Sequence, residues 1–142
     1  MVSAVRISCS ISAEKTGLHM IVRLDDNAIF SGDPYYAGDL SVAIPDDDGQ
    51  HQLIFQMSGK TAVHTKVAED GSIIDDVTVT IANIAFDDIP LGHVMTDKSQ
   101  YLHDFNGSGT QIVDKFYGTM GCNGSVTLEF TTPIYLWLLE NM

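Results

Sequence analysis

The stretch VRISCSI at residues 5–11 decides the fold class of this chain. Apolar residues occupy every second position and alternate with Arg6 and two serines, so an extended strand here has one buried face and one solvated face. The same period of two recurs at residues 18–24, 40–44, 53–57 and 63–67. About nine or ten short strands separated by turns are typical of an antiparallel β-sandwich. We therefore predict one all-β domain over residues 1–142, with jelly-roll-like packing.

The longest predicted strand, residues 72–86, changes phase partway along. Val77, Val79 and Ile81 share one face, whereas Ile84 and Phe86 share the other. A switch of this kind indicates a β-bulge or a strand that crosses between sheets. Tight hairpins are predicted at the turn sequences, which are Asp25-Asp26-Asn27, Asn106-Gly107 and Asn123-Gly124.

The C-terminal segment, residues 131–142, departs from this pattern because residues 134–139 are six consecutive apolar residues. One interpretation is a short helix capped by Thr132 and opened by Pro133, with Ile134, Trp137 and Leu138 as its apolar stripe. The other is a strand that is apolar on both faces, whose second face a second chain would cover. Pattern alone leaves both open. In either case we predict an assembly interface, formed by Tyr135, Leu136, Trp137, Leu138 and Leu139.

The charge balance excludes some classes of partner. The chain has 142 residues and a formal net charge of −12, from 19 acidic and 7 basic residues. Nucleic acids and anionic membrane surfaces are recognised by clustered cations, so neither is an expected partner.

No apolar run approaches the ~20 residues of a membrane span, and the alternating start is unlike a signal peptide. Cys9 and Cys122 have no metal-ligand spacing, and two free thiols are favoured over a disulfide.

No pattern typical of catalysis stands out. The five histidines lie at residues 19, 51, 64, 93 and 103, and none is beside a nucleophile in a G-x-S-x-G elbow. His19 and His64 fall on the solvated phase of predicted strands. The acidic residues concentrate in turns, where water keeps them ionised, and few cations are present to perturb them. We expect a protein that binds and assembles and has no catalytic residues.

Two small groups are candidates for ligand contact. Asp87 and Asp88 are one of several acidic pairs, and calcium prefers carboxylate and carbonyl oxygens of the kind that sandwich loops supply. Turn-forming aspartates explain such pairs without an ion, so calcium is an optional cofactor in this interpretation. Tyr35 and Tyr36 lie in a Pro/Gly loop, where exposed tyrosines can stack on sugars or anchor a protein contact. A sugar site would need these tyrosines to lie near the acidic pair.

The second half of the chain, from about residue 53, resembles a family of small structural proteins of tailed bacteriophages. The resemblance rests on SGKTAVHT at 58–65, DGSI at 70–73, IANI at 81–84, DFNG at 104–107, FYG at 116–118, GCNG at 121–124 and TTPIYLW at 131–137. It implies a virion protein of the tail, baseplate or capsid surface, including capsid decoration. Such a protein is assembled in the host cytoplasm and contacts itself and other virion proteins.

A second and weaker similarity concerns the strand pattern alone. It is similar to that of calcium-dependent, xylan-binding carbohydrate-binding modules, which are β-sandwiches. No segment of this chain matches their calcium or sugar motif, so no residue role is transferred. This similarity implies a glycan-binding-like face, or, as the alternative function, a calcium-dependent carbohydrate-binding module.

Overall fold

A computed structural model describes residues 4–60, 65–67, 69–71, 73–103 and 111–141. The strands in chain order are β1 (Ala4–Ala13), β2 (His19–Leu24), β3 (Asn27–Gly32), β4 (Gly38–Pro45), β5 (Gly49–Ser58), β6 (Thr65–Val67), β7 (Ile73–Asp76), β8 (Val79–Phe86), β9 (Ile89–Pro90), β10 (Ser99–His103), β11 (Ile112–Asp114), β12 (Thr119–Met120) and β13 (Gly124–Thr132). Two α-helices, α1 (His93–Lys98) and α2 (Ile134–Asn141), and a 3₁₀ turn at Pro34–Tyr36 complete the described elements.

The strands form two antiparallel sheets, which confirms the predicted β-sandwich. Sheet I has the order β12-β8-β1-β4, and β9 also pairs with β8. Sheet II has the order β11-β10-β13-β5-β2-β3, and β6 pairs with β7 separately. The chain passes between the sheets from β1 to β2, from β3 to β4 and again from β4 to β5. These crossings place the alternating apolar faces of both sheets against one core.

The predicted phase of the strands is confirmed by burial. Val5, Ile7, Cys9 and Ile11 of β1 are buried, as are Met20, Val22, Leu24, Leu53, Phe55 and Met57 from sheet II. The residues between them on each strand are exposed or half-buried. The period of two therefore sets which face of each strand enters the core.

The predicted phase switch is a β-bulge in β8. Ser8 pairs with Ala85 and Ser10 pairs with Ala82, so Asn83 and Ile84 together oppose one residue of β1. Asn83 has a φ of 56°, in the left-handed region that asparagine tolerates better than most residues. The extra residue lets Ile81 and Ile84 both face the core. The prediction of one strand over residues 72–86 was wrong, because β7 ends at Asp76 and β8 begins at Val79.

The C-terminal segment forms a helix, and its apolar stripe is the predicted one, with Ile134, Trp137 and Leu138 buried. The predicted cap was wrong. The carbonyl of Pro133 accepts the hydrogen bonds of Leu136 and Trp137, so the helix proper begins at Ile134. The Ile134 N–H donates to Asp46 Oδ1 at 2.8 Å, and Thr132 remains the last residue of β13.

The turn at Asn123-Gly124 was also predicted wrongly as a hairpin. It carries the chain from β12 in sheet I to β13 in sheet II. Glycine is required there, since an added Cβ at Gly124 would overlap the carbonyl oxygen of Leu102. The hairpin at Asp25-Asp26 is confirmed, because Leu24 pairs with Asn27. Residues 87–90 contain a two-residue turn followed by β9. Asn106-Gly107, Val63 and His64 lie outside the described residues.

Candidate functional site

The predicted assembly residues divide between the two sides of α2. Trp137 and Leu138 are buried, and the Trp137 ring lies 5.9 Å from that of Phe86 and 6.3 Å from that of Phe130. Tyr135, Leu136 and Leu139 are exposed by 51%, 58% and 79%. We call these three the α2 face. Trp137 and Leu138 hold the helix to the sandwich and are not available to a second chain in the folded protein.

Helix α2 is held in position by aspartates from two turns that are distant from it in the sequence. Asp46, in the turn between β4 and β5, accepts the first helical N–H, and the Tyr135 hydroxyl donates to Asp87 Oδ2 at 3.1 Å. The neighbouring Asp87 carboxylate raises the pKa of Tyr135 above its usual value, first through this hydrogen bond and then through its charge. The α2 face is therefore presented by a helix with a defined orientation.

The acidic pair Asp87-Asp88 forms the turn between β8 and β9, and both residues have left-handed backbone angles, with φ of 50° and 65°. Asp87 Oδ1 accepts the Arg6 N–H at 2.7 Å, and the Asp87 N–H donates to the Arg6 carbonyl. Both oxygens of the Asp87 carboxylate thus accept hydrogen bonds from the protein. Among the described residues, no three His, Cys, Asp or Glu side chains are grouped to hold a metal. Calcium at Asp87 and Asp88 stays a prediction.

The predicted ligand-contact pair, Tyr35 and Tyr36, lies on the 3₁₀ turn. Asp33 begins this turn by accepting the Tyr35 N–H, and the two rings meet edge to face at 5.0 Å. Both are exposed, by 47% and 74%. The turn adjoins the Ile11 end of β1, whereas Asp87 bonds to Arg6 near the other end. Five residues of strand, roughly 17 Å, separate these ends, so the tyrosines and the acidic pair do not form one site.

No sequence pattern indicated a cleft of about 450 Å³, which lies at the end of sheet II near Trp137. Three carboxylates line it, from Asp25, Asp26 and Glu129, together with the amides of Gln50 and Gln52. Gln52 donates to Glu129 at 3.0 Å across the β5–β13 pair. Carboxylates and amides side by side can bond polyhydroxylated or cationic ligands.

A hydrogen-bonded relay runs along the floor of this cleft. His51 Nδ1 donates to Asp25 Oδ2 at 2.9 Å, and His51 Nε2 lies 3.3 Å from Thr132 Oγ1. The His51 ring stacks on Phe130. The order carboxylate, imidazole, hydroxyl is that of a hydrolytic triad. Here, however, the hydroxyl belongs to a residue that is only 5% exposed. The relay joins the turn between β2 and β3 to strands β5 and β13.

The protein environment holds Asp25 ionised. Partial burial raises the pKa of its carboxyl, but hydrogen bonds from His51 and from the Gln52 N–H outweigh this, and the net pKa is lowered. Asp25 and His51 are 26 residues apart and meet because β2 pairs with β5. No spacing motif could have found this pair, since strand pairing alone brings it together.

Two further histidines of the described residues, and both cysteines, lie outside the cleft. His19 is exposed as predicted, whereas His103 is buried and lies 2.8 Å from Asp114. Neither Cys9 nor Cys122 forms a disulfide. Burial, and then the charge of Asp39, raises the pKa of Cys9 to about 11, which keeps its thiol protonated and unreactive.

Comparison with protein-family models, with curated proteins and with solved structures finds no match for this chain. Within the described part of the chain, neither helix approaches the length and apolarity needed to cross a membrane.

Proposed function

We propose that this protein is a non-enzymatic structural protein of a phage virion, in the tail, the baseplate or the capsid surface. The observation that carries the proposal is the α2 face, an exposed apolar surface on a firmly anchored helix. Tyr135, Leu136 and Leu139 bring no charge to an otherwise acidic surface. Surfaces of this kind are typical of protein–protein contacts.

The first partner of the α2 face is a second copy of the chain. Each copy carries a net charge of −12, so contacts between copies through most of the surface oppose like charges. The α2 face presents uncharged side chains at which two copies can meet, and the carboxylates of Asp87 and Glu140 lie next to it. A contact of one face with itself gives a two-fold dimer, the commonest symmetry of soluble oligomers.

The test replaces the two leucines, Leu136→Glu with Leu139→Glu, and measures mass by sedimentation. We expect a smaller particle than the wild type and an unchanged melting temperature, because neither side chain is in the core. The matched control is Val113→Glu with Tyr117→Glu, which adds the same charge at residues exposed by 59% and 80% elsewhere. A leucine variant that assembles like the wild type would contradict the proposal.

The virion assignment is tested separately, by the genes next to the one that encodes this chain. Tail or capsid genes on both sides support it. A metabolic operon would contradict it, and the assembly test above would still stand.

A second candidate function is calcium-dependent carbohydrate binding, which the cleft with its carboxylates and amides favours. A glycan array with and without calcium tests it, and we then expect Glu129→Ala to lose binding. Glu140→Ala is the matched control, since Glu140 is exposed on α2 and does not line the cleft. An array without specific binding in either condition rejects this candidate.

A further inference from the structure

The four edges of the two sheets differ in how well they are protected from pairing with another chain. In sheet II, β11 has three residues and β3 carries a register shift opposite Val22 and Arg23. In sheet I, one edge consists of β9 and β12, with two residues each. The other edge is β4, which pairs with β1 over eight residues without a shift. Short or irregular edges resist strand addition, so β4 is the edge that lacks this protection.

The hydrogen bonds of Arg6 show which backbone groups of β4 face outward. Arg6 donates its N–H to Asp87 Oδ1 and accepts the Asp87 N–H, so both of its groups point away from β4. Because the direction alternates along a strand, the backbone groups of Val5 and Ile7 point towards β4. They pair there with Ile44 and Val42.

It follows that the alternate residues of β4 direct their backbone groups to the open side. These are Asp39, Ser41 and Ala43. No strand among the described residues pairs with this side of β4. Three N–H donors and three carbonyls are therefore arranged as a ready-made edge for one more antiparallel strand.

The side chains of β4 do not block this edge. Strand β4 has no lysine and no bulge, which are usual protections, and its one proline, Pro45, is the last residue of the strand and follows the three outward residues. Leu40, Val42 and Ile44 face the core but are only partly buried, because β4 has no outer neighbour to cover them. The only charge on the strand is Asp39, whose carboxylate accepts a hydrogen bond from Ser10 Oγ at 2.7 Å.

We propose that β4 pairs antiparallel with β4 of a second copy, so that sheet I continues across a two-fold axis. With Ser41 opposite its own copy, Asp39 lies opposite the partner's Ala43 and Leu40 lies opposite the partner's Val42. No like charges face each other in this register, and the half-buried apolar residues of both copies cover one another. The occupant is thus a second copy of this strand, which is complementary to itself in charge and in shape.

This contact is separate from the α2 face. Variants that remove one contact at a time, and then both, therefore distinguish the two. With both contacts present, each subunit has two different two-fold interfaces and builds particles larger than a dimer. Leu136→Glu with Leu139→Glu should leave dimers held by β4. Adding Ser41→Pro should reduce them to monomers of 15.5 kDa. Proline at residue 41 removes an outward N–H and none that bonds to β1.

Ser41→Lys serves as the second variant, because it leaves the backbone unchanged and places two lysines opposite each other at the two-fold axis. Ser31→Lys is the matched control, an exposed serine on the edge strand β3. We expect Ser41→Lys to give monomers in the leucine background and Ser31→Lys to leave the dimers intact. The proposal is overturned if the leucine variant is already monomeric at its highest soluble concentration. It is equally overturned if dimers survive both Ser41 substitutions.

Discussion

Helix α2 and strand β4 both leave apolar surface uncovered, but they offer a partner different chemical groups. The α2 face offers side chains, on a helix whose other side is anchored in the core. Strand β4 offers backbone N–H and carbonyl groups. Its apolar side chains are already half-buried in the core, so only part of their surface is available to a partner. A side-chain surface can be read from composition, whereas an open backbone edge depends on which strands become neighbours. Substitutions in α2 therefore test side-chain packing, whereas substitutions in β4 test strand order and backbone direction.

The largest effect on stability is expected from a substitution on the buried side of α2, compared with one on its exposed side. Trp137→Ala removes a buried aromatic side chain that packs on Phe86 and Phe130, and such truncations cost about 3–5 kcal/mol. Leu139→Ala is the matched control, because Leu139 is 79% exposed and its loss should change the free energy of unfolding by less than about 0.5 kcal/mol.

Urea denaturation followed by far-ultraviolet circular dichroism measures both variants, since Trp137 is the only tryptophan and its fluorescence is lost with it. Equal destabilisation by the two substitutions would contradict the placement of α2. It would mean that the helix packs through its whole circumference or not at all.

The next effect tests the backbone phase of β4. Val42→Pro removes an N–H that points to β1 and leaves its acceptor without a donor, a loss that costs about 1–3 kcal/mol. Ser41→Pro removes an outward N–H one residue earlier and should cost under about 1 kcal/mol in the monomer. Chemical denaturation of both variants in the Leu136→Glu and Leu139→Glu background keeps association out of the measurement. A larger cost at Ser41 than at Val42 would mean that the phase inferred from Arg6 is inverted.

These two regions also show how far sequence reasoning reaches. The alternation at residues 5–11 predicted the burial of β1, because side-chain direction is a local effect. The phase switch near Asn83 indicated a bulge or a crossing strand, and the structure has the bulge. Local pattern also indicated the stripe of Ile134, Trp137 and Leu138 if residues 134–139 were helical, but it left helix and strand both open.

What local pattern could not give are contacts between distant residues. Asp46 caps α2 from 88 residues away, so the nearby Thr132 was the wrong choice. The cleft around His51 exists because β5 lies between β2 and β13. The open edge of β4 likewise follows from strand order, which alternation does not specify.

A moderate effect is expected at the cap of α2. Asp46→Ala leaves the Ile134 N–H without its acceptor, and the loss of a capping side chain costs about 1 kcal/mol. Asp48→Ala, an exposed aspartate in the same turn, is the matched control and should change stability little. Thermal unfolding of both variants measures the difference. If they prove equally stable, the helix does not depend on this cap, and Trp137 and Leu138 alone hold it.

The smallest expected effect is on stability at acidic pH, and it should be felt at the start of α2 and not in β4. The folded protein lowers the pKa of Asp25, so at acidic pH the unfolded chain binds the proton more readily. The resulting stabilisation is present above the unfolded pKa, near 4, and is lost as the pH falls through the lower folded value. Because the Asp25 side chain is 42% exposed, the contribution is under about 1 kcal/mol.

Asp25→Asn should therefore lower stability at neutral pH and flatten its decline below about pH 4, relative to the wild type. Asp26→Asn, in the same turn, is the matched control and should keep the wild-type slope. Hydrogen exchange shows where the effect is located, because the relay from Asp25 through His51 ends at Thr132, two residues before α2 begins. Asp25→Asn should speed exchange at the start of α2 and leave the β1–β4 amides unchanged. Faster exchange in β4 as well would show that the two regions open together, which would contradict the prediction that the loss of the Asp25 carboxylate affects only α2.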